Sequence, residues 1–169
     1  MNKMIESDRL ILRMPKKDDY YFFHRLNCDE EVMKYIGPVM DRSESKEYFE
    51  TAMAISDEKY GYRIAVDKIT AEFVGWFVLK NLDKTSEIEL GYRLMKKYWN
   101  LGLATEGCKT MVNYAFRELK LNRLVAVVPP EHINSQSVLT KIGFKFITVA
   151  EYYDKRLNYY ELRKAQFMI

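Results

Sequence analysis

Apolar and polar positions change period several times along the chain, and each change predicts an element. Ser7 to Arg13 (S-D-R-L-I-L-R) sets Leu10 and Leu12 on one face of an opening strand that Pro15 ends. Asp18 and Asp19 start a helix carrying Tyr21, Phe22 and Leu26, with the acidic residues at its positive N-terminus. A second short helix covers about Glu30 to Tyr35 and stops at Ile36-Gly37-Pro38. A third covers Ser43 to Ser56, where Ser43 followed by Lys46 leaves a capping box incomplete. Tyr60 to Val66, Glu72 to Leu79 and Ser86 to Leu94 are then β-rich runs separated by short turn-like stretches, an antiparallel meander. In the third run Ile88, Leu90, Tyr92 and Leu94 alternate with Glu87, Glu89, Gly91 and Arg93. One face is apolar and the other carries two carboxylates.

From Leu103 to Leu119 the period becomes helical, with Ala104, Cys108, Met111, Val112, Ala115, Phe116 and Leu119 on one stripe. Arg123 to Val128 is a continuous apolar strand closed by Pro129-Pro130. A short helix over about Ser135 to Lys141 ends at Gly143, and two strands finish the chain, Phe144 to Tyr153 and Arg156 to Arg163. This order predicts an α+β, or mixed α/β, fold. No repeat, low-complexity tract or flexible linker divides it, so residues 1–169 are expected to form a single domain.

Composition narrows the function classes. The chain has 169 residues, 48% hydrophobic and 30% charged, enough for a core without disulfide staples. No window approaches a membrane-spanning apolar run. Lys3, Glu6, Asp8 and Arg9 interrupt Met1 to Arg13, unlike a secretory leader, so a cytoplasmic location is expected. Cys28 and Cys108 read as reduced thiols, and the isolated His24 and His132 give no metal-ligand cluster. The net charge of +3 comes from 27 basic and 24 acidic residues with the signs interspersed. That is not a nucleic-acid footprint.

The chemistry concentrates between Gly91 and Thr105. A strand runs into a tight turn, and Gly102 with Ala104 opens the long helix, letting backbone N–H groups approach an anion where the helix terminus adds positive charge. A phosphate-binding loop of the Walker type would end in Gly-Lys-Ser/Thr, and a dinucleotide fingerprint would read G-x-G-x-x-G; neither is present. A nucleotide-dependent enzyme would also need a phosphate lysine and metal-binding carboxylates near Gly102.

Glu89-Leu-Gly-Tyr-Arg-Leu94, Tyr98-Trp-Asn-Leu-Gly-Leu-Ala-Thr-Glu106 and Lys141-Ile-Gly-Phe144 together resemble the core motifs of the GCN5-related N-acetyltransferase (GNAT) superfamily. The opening S-D-R-L-I-L-R and Asp29-Glu-Glu-Val-Met-Lys-Tyr-Ile-Gly37 are similar to the branch that acetylates ribosomal-protein N-termini, the RimJ/RimL type. The resemblance implies a splayed, mostly antiparallel sheet of about seven strands with about four or five helices. It implies acetyl-CoA as cosubstrate, with the diphosphate at Trp99, Asn100, Leu101, Gly102, Leu103, Ala104 and Thr105. The pantetheine arm would insert beside Tyr92, Arg93 and Leu94, in a gap between their strand and Val125 to Val128. Trp99 fills the first place of the family's Q/R-x-x-G-x-G/A pattern, and Asn100 stands where the branch often has glycine. A glycine inside a strand suggests a bulge at Gly91. Counting back from Lys141-Ile-Gly-Phe144 places His132 and Ser135 where the branch has Asn-x-x-Ser; a literal Asn-x-x-Ser lies at Asn134 to Ser137, two residues nearer.

Acetyl transfer needs a neutral amine, an oxyanion site and a proton for the leaving thiolate. Glu89 is the first candidate base and Glu87 the second; Ser135 is the candidate acid and helix cap, with Tyr152 and Tyr153 in reserve. Leu139 stands where the superfamily often has a tyrosine acid. His132 reads as a wall of the pantetheine channel rather than a base. Tyr20, Tyr21, Phe22, Phe23 and Tyr35 suggest an aromatic acceptor pocket or core packing. The expected acceptor is a primary amine, either a protein N-terminus or a small molecule such as a polyamine, aminoglycoside or amino acid. A catalytically weak acyl-CoA-binding regulatory module is the competing class. The family often dimerises, which allows a homodimer.

Overall fold

The structure is a computed structural model, and it describes residues 4–167; Lys3 of the leader reading lies outside them. The elements in order are β1 (Ile5–Glu6), β2 (Leu10–Arg13), α1 (Tyr20–Asn27), α2 (Glu30–Met33), α3 (Arg42–Ala54), β3 (Gly61–Asp67), β4 (Phe73–Asn81) and β5 (Ile88–Leu94). They continue with α4 (Leu103–Arg117), β6 (Arg123–Val128), α5 (Ile133–Lys141), β7 (Lys145–Tyr152), β8 (Lys155–Arg163) and α6 (Lys164–Phe167). One open sheet holds all eight strands in the order β1-β2-β3-β4-β5-β6-β8-β7. Every pairing is antiparallel except β5 with β6. This is the mixed α/β architecture expected from the pattern.

The eighth strand is Ile5–Glu6, ahead of the predicted opening strand, which itself runs only from Leu10 to Arg13 because Ser7 to Arg9 form a turn. The Leu10 amide donates to Ser7 Oγ at 3.0 Å and the Ser7 amide donates to the Leu10 carbonyl at 3.0 Å, folding a tight turn between β1 and β2. Two helix starts also differ from expectation. Asp19 lies in a 3₁₀ turn before α1 and is buried, its carboxylate paired with Arg13 at 2.7 Å rather than facing helix amides. Helix α3 begins one residue before Ser43 because Asp41 caps it. Asp41 accepts from the Glu44 amide at 2.9 Å and Glu44 accepts from the Asp41 amide at 2.8 Å, a complete capping box.

Two apolar layers cover the sheet. On one face α4 packs Leu103, Cys108, Met111, Val112, Ala115 and Phe116 against Phe77, Leu79, Leu90, Leu124 and Ala126. On the other, Phe23 and Leu26 of α1 and Phe49 and Ala52 of α3 meet Tyr62, Ile64, Trp76 and Val78. On that side Arg93 of β5 lies against Trp76 and Tyr48, and Glu89 is buried too, so this face of β5 is not an open solvated surface. Gly91 sits in an unbroken β4–β5 ladder opposite Val78, not on a bulge. Its small size has another cause: a Cβ there would lie 3.1 Å from Val78 Cγ1. At the far edge, β7 leaves Phe146, Ile147 and Val149 exposed.

Candidate active site

Strands β5 and β6 pair at a single position, Glu89 with Val125. On their outer sides both continue in register, β5 to Leu94 against β4 and β6 to Val128 against β8. The two therefore diverge beyond Glu89, and the edge of β5 from Gly91 to Leu94 has no strand partner toward β6. Side chains close this gap on the α5 side: the Tyr92 hydroxyl donates to Ser135 Oγ at 3.3 Å. Burial pushes the Tyr92 phenol well above its ordinary value, so it is held as a neutral donor. Ser135 is buried inside the first turn of α5, which starts at Ile133 with His132 at the N-cap; Ser135 does not cap the helix. Asn134 and Ser137 are exposed, so the serine counted back from the Lys141 ending is the one that faces the gap.

Beyond β5 the chain makes the turn that opens α4. The Trp99 indole N–H donates to the Leu94 carbonyl at 2.9 Å, pinning the turn to the end of the strand. Asn100 has φ +59° and Gly102 φ +78°, two left-handed residues flanking the exposed Leu101. Asparagine tolerates that conformation better than most side chains. Gly102 is the N-cap of α4 and supplies no side-chain acceptor to the helix amides. Leu103 is buried and Ala104 packs against the core, while Thr105 is half-buried.

Arg9 reaches this turn from a distant segment, a contact that no local pattern signals. From the β1–β2 hairpin its Nη1 donates to the Leu101 carbonyl at 2.9 Å, and its Nη2 lies 3.4 Å from where a Cβ on Gly102 would stand. Glu106 of α4 holds the hairpin, accepting from the Ser7 hydroxyl at 2.6 Å, the Arg9 amide at 2.8 Å and Arg9 Nε at 2.7 Å. Burial pushes the Glu106 carboxyl upward, and these donors outweigh it and bring it below the ordinary range.

On the opposite face of β5, Glu89 is 8% exposed and already engaged. Its Oε2 accepts from Lys80 Nζ at 3.1 Å and from the Tyr153 hydroxyl at 2.5 Å. Lys80 also donates to the Tyr153 oxygen. Burial pushes the Lys80 ammonium down, but Glu89 and Tyr153 outweigh that and raise it, so it remains charged. Tyr153 and Asp154, with φ +54° and +57°, form the β7–β8 turn that delivers this hydroxyl. Glu87 sits where β5, β6 and β8 lie close together, accepting from Arg123 Nη2 at 2.5 Å and the Tyr159 hydroxyl at 2.9 Å. Tyr152 stacks on Tyr159 at 5.8 Å, away from Ser135's partner Tyr92.

Of the aromatic residues near the N-terminus, Phe23 is core and Phe22 stacks on Phe73 at 4.9 Å. Tyr35 has a different role: its ring stacks on His132 at 4.4 Å, and burial lowers the imidazole below its ordinary value. A cleft of about 400 Å³ adjoins Tyr35, lined by Lys34, Lys155 and Arg156 against one carboxylate, Glu131. Among the described residues no group of three or more His, Cys, Asp and Glu is arranged to hold a metal ion, and no helix is long and apolar enough to cross a membrane.

Comparison with known proteins agrees with this geometry. Residues 9–145 match the family described as "Acetyltransferase (GNAT) domain". The uncharacterized N-acetyltransferase YoaA of Bacillus subtilis is 32% identical over 151 residues, covering 86% of this chain and 84% of YoaA. The crystal structure of a GNAT-family acetyltransferase from Bacillus anthracis superposes with a TM-score of 0.82 at 25% identity, covering 96% of this chain and 99% of that one. Spermidine N-acetyltransferase from Vibrio cholerae, solved in complex with CoA and spermine, shares the fold with a TM-score of 0.77 at 18% identity, covering 95% of this chain and 98% of that one. A sheet opened between β5 and β6, a left-handed turn leading into α4 and a family match over most of the chain converge: the protein belongs to the GNAT family of acetyltransferases.

Proposed function

We propose that the protein uses acetyl-CoA to acetylate a primary amine, as a single catalytic domain of the RimJ/RimL-like branch. The observation that carries this reading is the divergence of β5 from β6 beyond Glu89, with the Trp99–Thr105 turn at its open end. Acetyl-CoA would supply the thioester whose carbonyl carbon the acceptor nitrogen attacks. The amides of the turn, beside the Arg9 cation, suit the diphosphate. The unpaired edge of Tyr92 to Leu94 suits the pantetheine arm, and an N–H at Tyr92 or Arg93 the oxyanion. Tyr35 and His132 wall the channel.

Glu89 takes the proton that the nitrogen loses. Ser135, hydrogen-bonded by Tyr92, donates to the sulfur as the C–S bond breaks, and the phenol can replace that proton. Glu87 holds Arg123 and Tyr159 and has no part in the transfer. Three cations around the cleft favour an acceptor bearing negative charge over a polyamine. The exposed β7 edge is the surface we assign to a homodimer.

The competing reading, an acyl-CoA-binding module with weak turnover, draws on the engagement of Glu89 by Lys80 and Tyr153. Thermal unfolding with acetyl-CoA, CoA or ATP tests coenzyme binding, and thiol release against a panel of amines tests turnover. Stabilisation by acetyl-CoA and not ATP is expected. No shift at millimolar acetyl-CoA would sink the proposal, whereas binding without thiol release for any amine would select the regulatory reading.

A further inference from the structure

Arg93 is a buried cation without a carboxylate. The residue is 6% exposed, on the same face of β5 as Glu89, and its guanidinium lies over the rings of Trp76 at 5.0 Å and Tyr48 at 5.6 Å. Its Nη1 donates to Oδ1 of Asn27, at the end of α1, which is fully buried. Among the described residues, three buried nitrogens here find no acceptor: Arg93 Nε, Asn27 Nδ2 and Trp76 Nε1. All three are donors. Among the described residues no acidic side chain forms an ion pair with Arg93, while Glu89 has Lys80 and Glu87 has Arg123 on the same strand's polar side.

A desolvated guanidinium and unmet donors both oppose folding, so a protein that keeps them together keeps a preformed counterpart to an anion. The groups match a carboxylate: a planar cation offering parallel N–H bonds, flanked by an indole and an amide donor. Tyr48 is the half-exposed ring over the guanidinium and marks the side of entry. Along the strand, Arg93 stands two residues from Gly91 and four from Glu89. An amine near these residues and an anion at Arg93 are therefore about 7–14 Å apart.

We propose that Arg93, Asn27 and Trp76 form an anion subsite of the acceptor pocket, which selects amines carrying a carboxylate several bonds from the nitrogen. The assignment rests on the acetyltransferase reading, and the measurements below separate the two. The cations of the cleft beside Tyr35, namely Lys34, Lys155 and Arg156, have the same sign and would draw such an acceptor toward the protein.

The probes are 5-aminopentanoate and pentylamine, matched in chain length and differing by the carboxylate, compared at constant ionic strength. Thermal midpoints and kcat/KM are measured for wild type, Arg93→Met and Asn27→Asp, each with and without acetyl-CoA. Wild type is expected to be stabilised by 5-aminopentanoate and not by pentylamine, and to prefer it by about tenfold or more in kcat/KM. Arg93→Met, which removes the charge, is expected to lose that preference. Asn27→Asp supplies an internal carboxylate to Arg93, so its ligand-free midpoint should rise while the preference disappears. Equal responses of wild type to the two probes would overturn the subsite, as would a preference that survives in both variants. Absence of an acetyl-CoA shift in wild type would instead strike the acetyltransferase reading, and the carboxylate response would still be read from the midpoints.

Discussion

Replacing Glu89 with glutamine separates catalysis from folding. The amide keeps the shape of the side chain and an acceptor for Tyr153, but removes the charge 3.1 Å from Lys80. Two unit charges at that distance interact by about 5 kcal/mol at an effective dielectric constant of about 20. Desolvation offsets most of it, and the Lys80 side chain remains 25% exposed, so the net loss expected is about 1–2 kcal/mol. For a chain of this size that lowers the thermal midpoint by about 2–8 °C. Loss of a general base costs about 10²- to 10⁴-fold in rate, an effect well above the stability loss. Thiol release at saturating acetyl-CoA, measured at 25 °C, should therefore fall at least about 100-fold while the coenzyme-induced shift persists. If the variant turns over within about threefold of wild type, Glu89 is only the partner of Lys80, and the assigned base is wrong.

Three further outcomes follow from particular atoms. Gly102→Ala should cost about 1–2 kcal/mol by forcing a Cβ into the left-handed region without a clash. Gly102→Asp places a carboxylate within reach of Arg9 at the proposed diphosphate site, so the acetyl-CoA shift should survive in the alanine variant and vanish in the aspartate one. Gly107→Ala puts a methyl 2.0 Å from Phe77 Cζ, inside the packed core, and should cost about 1–3 kcal/mol in urea unfolding; a neutral result would mean that α4 can shift freely on the sheet. Burial holds the folded His132 imidazole below its ordinary 6.5, so the folded state takes its proton at lower pH than the unfolded chain. Its contribution is neutral above pH 6.5 and destabilising as pH falls through that value. His132→Asn should flatten that part of the stability–pH curve, and an unchanged curve would refute the assignment.

How far the site was legible in the sequence depends on how many chain segments each feature needs. The meander and α4 were readable because each element buries one face, and the alternation at Ile88, Leu90, Tyr92 and Leu94 or the stripe through Met111 and Ala115 records that burial locally. The turn at Gly102 was readable for the same reason: strand, left-handed residue and helix are contiguous. Counting back from the Lys141 ending picks out Ser135, which lies buried in α5 and does not cap it, since the helix start depends on the Pro129-to-His132 turn rather than on a capping side chain. Alternation also showed that Glu89 and Arg93 lie opposite the apolar face, yet it could not show that Asn27 of α1 and Tyr48 of α3 meet Arg93 or that Tyr153 reaches Glu89. Features built from distant segments left no local trace. Arg9 and Glu106 meet across 97 positions, and Tyr153 and Glu89 across 64. Arg93 joins Trp76 on the neighbouring strand and Asn27 on α1. A buried arginine facing an asparagine satisfies no rule of helix, strand or turn formation. Its cost is set by the tertiary fold alone, which is why its consequence for the acceptor emerges only when the packing around it is known.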